Sequence, residues 1–156
     1  MEINISTLAA QPFFKGLSTP QLELLLDNSM PVEFPADKSI FREGQLANRF
    51  YLILEGEVAL ESAAGERDAT PELIQTLVAG DMLGWSWLFP PYYWHFDARA
   101  VTPVKAVFFY GTRLREQCES DHELGYELMK RTAEVVIGRL QATRRRLLER
   151  KAGLLV

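Results

Sequence analysis

Between Val32 and Tyr110 the chain is a succession of short apolar runs, each broken by a turn, and that cadence restricts the fold more than any other feature. Val32–Phe34 and Ser39–Phe41 flank the polar turn Pro35-Ala36-Asp37-Lys38. Arg49–Leu54 meets Val58–Leu60 across Glu55-Gly56, which reads as a hairpin. Residues 62–72 are small and charged and predict an exposed loop. Leu73–Leu77 follows and ends at Gly80-Asp81, while Ala98–Val101 and Val104–Phe109 predict a last strand pair around Thr102-Pro103. Strands recurring at intervals of about ten residues point to an antiparallel roll or barrel.

Helices are expected on both sides of this region. Near the start, Ser18 is a hydroxyl cap, Pro20 falls in the first turn, and Leu22, Leu25 and Leu26 repeat at helical spacing until Pro31 ends the run. After Tyr110, Gly111 or Thr112 can cap a short helix carrying Leu114 and Cys118. Ser120-Asp121-His122-Glu123 has the capping-box pattern and opens a helix of about 28 residues. Within it Tyr126, Ala133, Leu140 and Leu147 fall seven apart, with Met129, Val136 and Thr143 interleaved. The seam either covers the chain's own roll or pairs with its copy. Three heptads are long for a covering helix, which favours a homodimer through residues 123–148.

Size and composition set outer limits. A chain of 156 residues makes one domain, divided here into N-terminal helices (1–30), a β-roll (31–110) and C-terminal helices (111–150). No run approaches the roughly 18–20 apolar residues of a membrane span, and the first residues lack the basic and apolar parts of an export signal. The single cysteine, Cys118, excludes an internal disulfide and a multi-cysteine metal cluster, so a cytoplasmic setting is expected. A net charge of −4 argues against a surface made for nucleic acid. From Arg139 to Lys151 five arginines and one lysine oppose one acid, Glu149, which reads as a solvated helix face or a docking patch for an acidic partner.

Four segments in order carry a family resemblance. Phe14-Lys15-Gly16-Leu17 with Leu25, then Ile40–Gly44, then Phe50–Val58, then Leu77–Gly84 resemble the opening helix, strand-turn motif, hairpin and pre-binding turn of the cyclic-nucleotide-binding domain family. The likeness covers about residues 13–150. It implies a mostly β fold with flanking helices: an antiparallel eight-stranded roll of the jelly-roll (double-stranded β-helix) type, N-terminal helices, and a long C-terminal helix. Family members that are transcription factors, the catabolite-activator type, continue into a helix-turn-helix domain. About six residues follow Arg150 here, so direct sequence-specific DNA binding is not expected.

The binding element departs from the family pattern. After the glycine corresponding to Gly84, relatives carry a glutamate for the ribose hydroxyl; further on, an arginine and a small hydroxyl residue meet the cyclic phosphate. In this chain Trp85 takes the glutamate's place. Counting back from Thr102-Pro103-Val104 puts Trp94 at the arginine, with His95 and Phe96 beside it. Burying an anion without its cationic partner costs about 3–5 kcal/mol, or two to four decades of affinity. Cyclic AMP and cyclic GMP are therefore expected to bind weakly or not at all. Arg99 is a displaced substitute only in a register that shortens the last strands.

The segment from Gly84 to Arg99 holds all three tryptophans, with Phe89, Tyr92, Tyr93 and Phe96 among them. Such rings either fill the vacated cavity, line a site for an apolar or planar small molecule, or form a protein-facing patch. Gly84, Trp85, Ser86, Trp87, Leu88, Trp94, His95, Phe96 and Arg99 are the candidate ligand-binding residues, Ser86 and His95 supplying polar contacts. The resemblance offers Thr132 or Thr143 as contacts to the pocket from the helix, but both are expected to face solvent or the seam. His95, with His122 elsewhere and Asp97 beside it, is too sparse for a metal site, and Ser86 and Cys118 lack a visible activating base. No catalytic residue, metal or cofactor is expected. The reading is a stand-alone sensor or regulatory module that signals through a protein partner, with a small-molecule effector as an option. The alternatives are a ligand-free dimerisation scaffold with a filled pocket, or an enzyme on a cupin-like roll. A cavity beside Trp85 and Trp94 favours the sensor, and solid packing favours the scaffold.

Overall fold

The structure, a computed structural model, describes residues 2–62 and 70–154. Helix α1 (Ile5–Ala9) is capped by Asn4, whose side chain accepts from the Thr7 N–H. A 3₁₀ turn at Pro12–Phe14 leads to α2 (Thr19–Asp27). There Ser18 caps the helix and proline stands in the first turn, as expected, and Gln21 completes a reciprocal capping box that was not foreseen.

Eight strands follow: β1 (Ser29–Phe34), β2 (Ser39–Phe41), β3 (Arg49–Glu55), β4 (Val58–Ser62), β5 (Glu72–Leu77), β6 (Met82–Leu83), β7 (Asp97–Ala100) and β8 (Val104–Tyr110). They form two antiparallel four-stranded sheets in the orders β1-β8-β3-β6 and β2-β7-β4-β5. This is the expected β-roll. Most of the loop expected over 62–72 lies outside the described residues.

Several local expectations are corrected. Pro31 does not stop α2, which ends at Asp27; it lies in β1, opposite Val107. Because β1 is a sheet edge, a residue with no N–H is tolerated there. Glu55-Gly56 is a turn, but β3 and β4 do not pair: the chain crosses from one sheet to the other. Gly56 has φ +96, and a Cβ on it would lie 2.3 Å from the Pro103 carbonyl oxygen, so the corner admits only glycine. Likewise β7 and β8 do not pair across Thr102-Pro103; β7 joins β2 and β4, while β8 joins β1 and β3.

Alternation along the strands separates two cores. Phe50, Leu52, Val107 and Phe109 point out of the first sheet toward Leu8, Phe14, Leu25, Leu114, Leu124 and Leu128 of the helices. Tyr51, Ile53 and Ala106 point inward and meet Phe41, Val58, Leu60 and Ala98 of the second sheet. After β8 come α3 (Gly111–Ser120) and α4 (His122–Leu154). Neither Gly111 nor Thr112 caps α3; both lie within it, and Tyr110 holds the cap position without a side-chain bond. Asp121, not Ser120, caps α4, its carboxylate accepting from the Leu124 N–H at 3.1 Å. The helix runs 33 residues, longer than expected.

One face of α4 packs on the roll through Leu124, Leu128, Thr132, Arg139 and Ala142, all buried. The proposed seam faces the other way. Tyr126 is 64%, Leu140 66% and Leu147 66% exposed. Ala133 and Thr143 are exposed too, with Met129, while Val136 is half-buried. Apart from the half-buried Val136, the seam residues therefore do not cover their own roll. Thr132, expected at the surface or the seam, is instead buried against the roll.

Candidate ligand pocket

The chain places Trp94 inside the roll by a short backbone pairing. Gly44 N–H donates to the Trp94 carbonyl at 2.9 Å, Trp94 N–H to Gln45 at 3.0 Å, and Ala47 N–H to Tyr92 at 2.7 Å. With successive side chains pointing to opposite faces, Tyr93 turns outward and Trp94 inward. The indole stacks on Phe41 with centroids 3.8 Å apart and planes 7° apart. Arg49 caps it with its guanidinium 5.5 Å from the ring centroid. Gly84, at φ +102, makes room: a Cβ there would stand 2.9 Å from Trp94 Cζ3. The fit has one defect, since among the described residues the buried Trp94 Nε1–H finds no acceptor. An unpaired buried donor costs about 1–3 kcal/mol.

Around the indole, Gly84, Trp85, Ser86, His95 and Phe96 line what remains of the pocket, with Phe41, Leu60 and Leu83. The remaining space is about 10 Å³. Trp85 lies flat against His95, centroids 4.5 Å apart, and forms the half-exposed rim. The two groups expected to offer polar contacts to a ligand, Ser86 Oγ and His95 Nδ1, instead share a hydrogen bond of 2.9 Å.

Three expected site residues lie elsewhere. Trp87 points into the helix-facing core, stacked on Phe50 at 4.6 Å, and Leu88 packs against that same core. A single 3₁₀ turn, Ser86–Leu88, separates the two directions. Arg99 sits on β7 away from the pocket, bonded to Glu61 at 2.9 Å and to Asp37 at 3.3 Å. The Glu61 carboxylate, helped by Asp37, holds its guanidinium above the usual arginine range.

The cation that does border the pocket is Arg139 of α4, only 8% exposed. It donates to the Met82 carbonyl at 2.7 Å and to Gln75 Oε1 at 3.2 Å, both neutral. Burial pushes its guanidinium down to about 10, against a weaker opposing pull from Asp81, so it stays charged at neutral pH. Read as part of a solvated basic face, Arg139 was hidden by the charges that follow it. Its helical phase shows it: fifteen residues after Leu124 and eleven after Leu128, it returns to the same face. Among the described residues no cluster of His, Cys, Asp and Glu could hold a metal ion, and no helix is long and apolar enough to cross a membrane.

The roll, the helix order and the position of the pocket define a class of regulatory domain, and comparison with known proteins agrees. The cyclic nucleotide-binding domain model matches residues 31–121, so the chain belongs to that family. A solved structure from Geobacter metallireducens GS-15, provisionally assigned as a cyclic nucleotide-binding protein, is 34% identical, with a TM-score of 0.80 over 89% of this chain and 99% of its own. The CRP-like cAMP-activated global transcriptional regulator of Mycobacterium tuberculosis is 28% identical over 79% of this chain. This chain spans about half (54%) of that regulator's length. The regulatory subunit of a cAMP-independent protein kinase A from Trypanosoma cruzi, bound to guanosine, shares 25% identity and a TM-score of 0.65, covering 74% of this chain and 40% of its own.

Proposed function

We propose that this chain is a dimeric regulatory module of the cyclic-nucleotide-binding type whose pocket is occupied by its own Trp94. It takes neither cyclic AMP nor cyclic GMP tightly, and it passes its output to a protein partner. One observation carries this reading: the indole stacked on Phe41 leaves about 10 Å³, whereas small-molecule sites occupy roughly 300–1,000 Å³. The cation that lines the pocket, Arg139, is already bonded to Met82 and Gln75, Arg49 lies over the Trp94 ring and donates to Tyr51, and Arg99 is engaged with Glu61 and Asp37. By the criterion of cavity against solid packing, the support goes to the filled-pocket alternative rather than to an open sensor. The kinase subunit from Trypanosoma cruzi, described as cAMP-independent, offers a precedent for the fold in regulation without cyclic AMP.

The second half of the proposal rests on α4. Its solvent face carries Tyr126, Met129, Leu140 and Leu147 at heptad spacing, flanked by exposed Ile137 and Leu148. On a helix about 50 Å long, such a stripe suits a second copy of the same helix, since each heptad knob finds an equivalent hole. Calorimetry with cyclic AMP and cyclic GMP tests the first half; a low-micromolar dissociation constant for either overturns it. Light scattering tests the second: a dimer is expected for the native chain and a monomer for the double variant Leu140→Glu/Leu147→Glu. A monomeric native chain sinks the dimer.

A further inference from the structure

Each sheet ends in a strand with a free side, β6 in the first and β5 in the second. Helix α4 packs along β5, and Arg139 reaches both strands, donating to the Met82 carbonyl and to the Gln75 side chain. Beside that bridge, between β5 and α4, lies a hollow of about 440 Å³, within the roughly 300–1,000 Å³ of binding sites. Ile74 and Thr76 stand on its strand side, and Gly138, Ala142, Arg145 and Arg146 on its helix side.

The strand side offers unpaired backbone. Val101 N–H donates to the Glu57 carbonyl, so by alternation Ala59 also turns its backbone groups toward β7, while Val58 and Leu60 turn theirs toward β5. Thr76 stands opposite Ala59 and therefore presents its N–H and C=O on the free side of β5. No backbone group among the described residues bonds them there. A bulge at Ile74, where the register slips between Leu60–Gln75 and Glu61–Leu73, keeps this open edge short.

The helix side offers positive charge and room. Arg145 is exposed and forms no ion pair among the described residues, while Arg146 shares Glu149 at 3.6 Å. A Cβ on Gly138 would meet nothing within 4 Å, so another backbone can approach α4 there. Gly138, Ala142 and Arg145 each stand two residues from Leu140 or Leu147, about 160° around the helix, so the hollow lies on the side of α4 away from the seam.

We propose that this hollow receives a short extended segment of a partner protein with Asp or Glu at alternate positions. Its backbone pairs with the open edge at Thr76 as an added strand. Its carboxylates share one face of that strand and meet Arg145 and Arg146. The edge presents a donor beside an acceptor; a peptide backbone matches both, whereas a nucleic-acid phosphate matches only the donor. The site deepens the functional reading in one respect, that output passes to a protein partner, and uses neither the filled pocket nor the dimer.

A fluorescein-labelled peptide of alternating Glu and Val, titrated with the full chain and followed by anisotropy, is expected to bind, and the same peptide with Lys for Glu is not. Methylating the backbone nitrogens along one edge of the probe should weaken binding at least tenfold, and methylating the other edge should leave it intact. Arg145→Glu should weaken binding about tenfold or more. Gly138→Leu fills the hollow and should abolish binding with Tm unchanged or higher, since leucine suits a helix better than glycine. No binding at millimolar probe, equal binding of the Lys peptide, or two methylated probes that bind alike overturns the proposal. So does tighter binding of a single-stranded oligonucleotide, or a folded Gly138→Leu chain that binds as the native one does. Cyclic-nucleotide calorimetry and light scattering are read on the native chain without the probe, so the functional reading and this site fail separately.

Discussion

Trp94→Ala is the most informative single perturbation, because its cost can be worked from opposing contributions. Truncating a buried aromatic side chain to alanine costs about 3–5 kcal/mol. Loss of the parallel stack on Phe41 adds about 0.5–1.5 kcal/mol. Against this, the variant no longer buries an N–H without an acceptor, which returns about 1–3 kcal/mol. The midpoints leave a net loss of about 3 kcal/mol, a large part of the roughly 5–15 kcal/mol that holds a domain together. Trp94→Phe keeps much of the ring while shedding the orphaned donor, so its loss should stay within about 1 kcal/mol. Urea titration followed by circular dichroism measures both, with an unchanged slope expected. An alanine variant within about 1 kcal/mol of the native chain, or a phenylalanine variant as damaged as it, refutes the placement of this indole as packing between the sheets.

Three further outcomes are expected. Ser18→Ala breaks the reciprocal cap of α2 and should cost about 1 kcal/mol, seen in calorimetry as a fall of about 2–4 °C in Tm. Gly56→Ala combines φ +96 with a backbone clash and should lose more than about 3 kcal/mol in a urea titration; Gly44→Ala, at φ +86 with open space around it, should lose about 1–2 kcal/mol. Burial, then Asp121 and Glu119, push the Cys118 thiol from 9.0 up to about 11. Alkylation of the folded chain should therefore be slow at pH 8 and accelerate toward pH 11. In the window from 9.0 to about 11 the unfolded chain loses a proton that the folded chain keeps, so stability falls as pH rises, and Cys118→Ala should flatten that slope.

The strands were legible because turn residues and apolar runs are local signals, but their partition between sheets was not. The turn chemistry at Glu55-Gly56 serves a corner as well as a hairpin, and only the distant Pro103 carbonyl tells them apart. Pro31 looked like a helix terminator because nothing nearby reveals that β1 is an edge. Asp121 and Ser120 are both good caps, and the choice depends on where α3 releases the chain. In the pocket, the place of Trp94 followed from the family resemblance, by counting back from Thr102-Pro103 to the position of the family's arginine; that its ring turns inward and fills the space did not. The direction of Trp87 did not, since one 3₁₀ turn reverses which core a ring enters. Arg139 was concealed by composition, because a run of arginines masks the one whose helical phase turns it inward.

The register of the first sheet carries a kinetic consequence. Its first and last strands lie side by side, Ser29 opposite Phe109 and Phe34 opposite Val104, while the chain between them passes back and forth between the two sheets. Helical segments and the neighbouring β4 and β5 can form early and locally, but the roll closes only when its two extremities find each other. Ring closure of that kind loses chain entropy before any contact repays it, which places folding in the slow, millisecond-to-second range of β-rich domains.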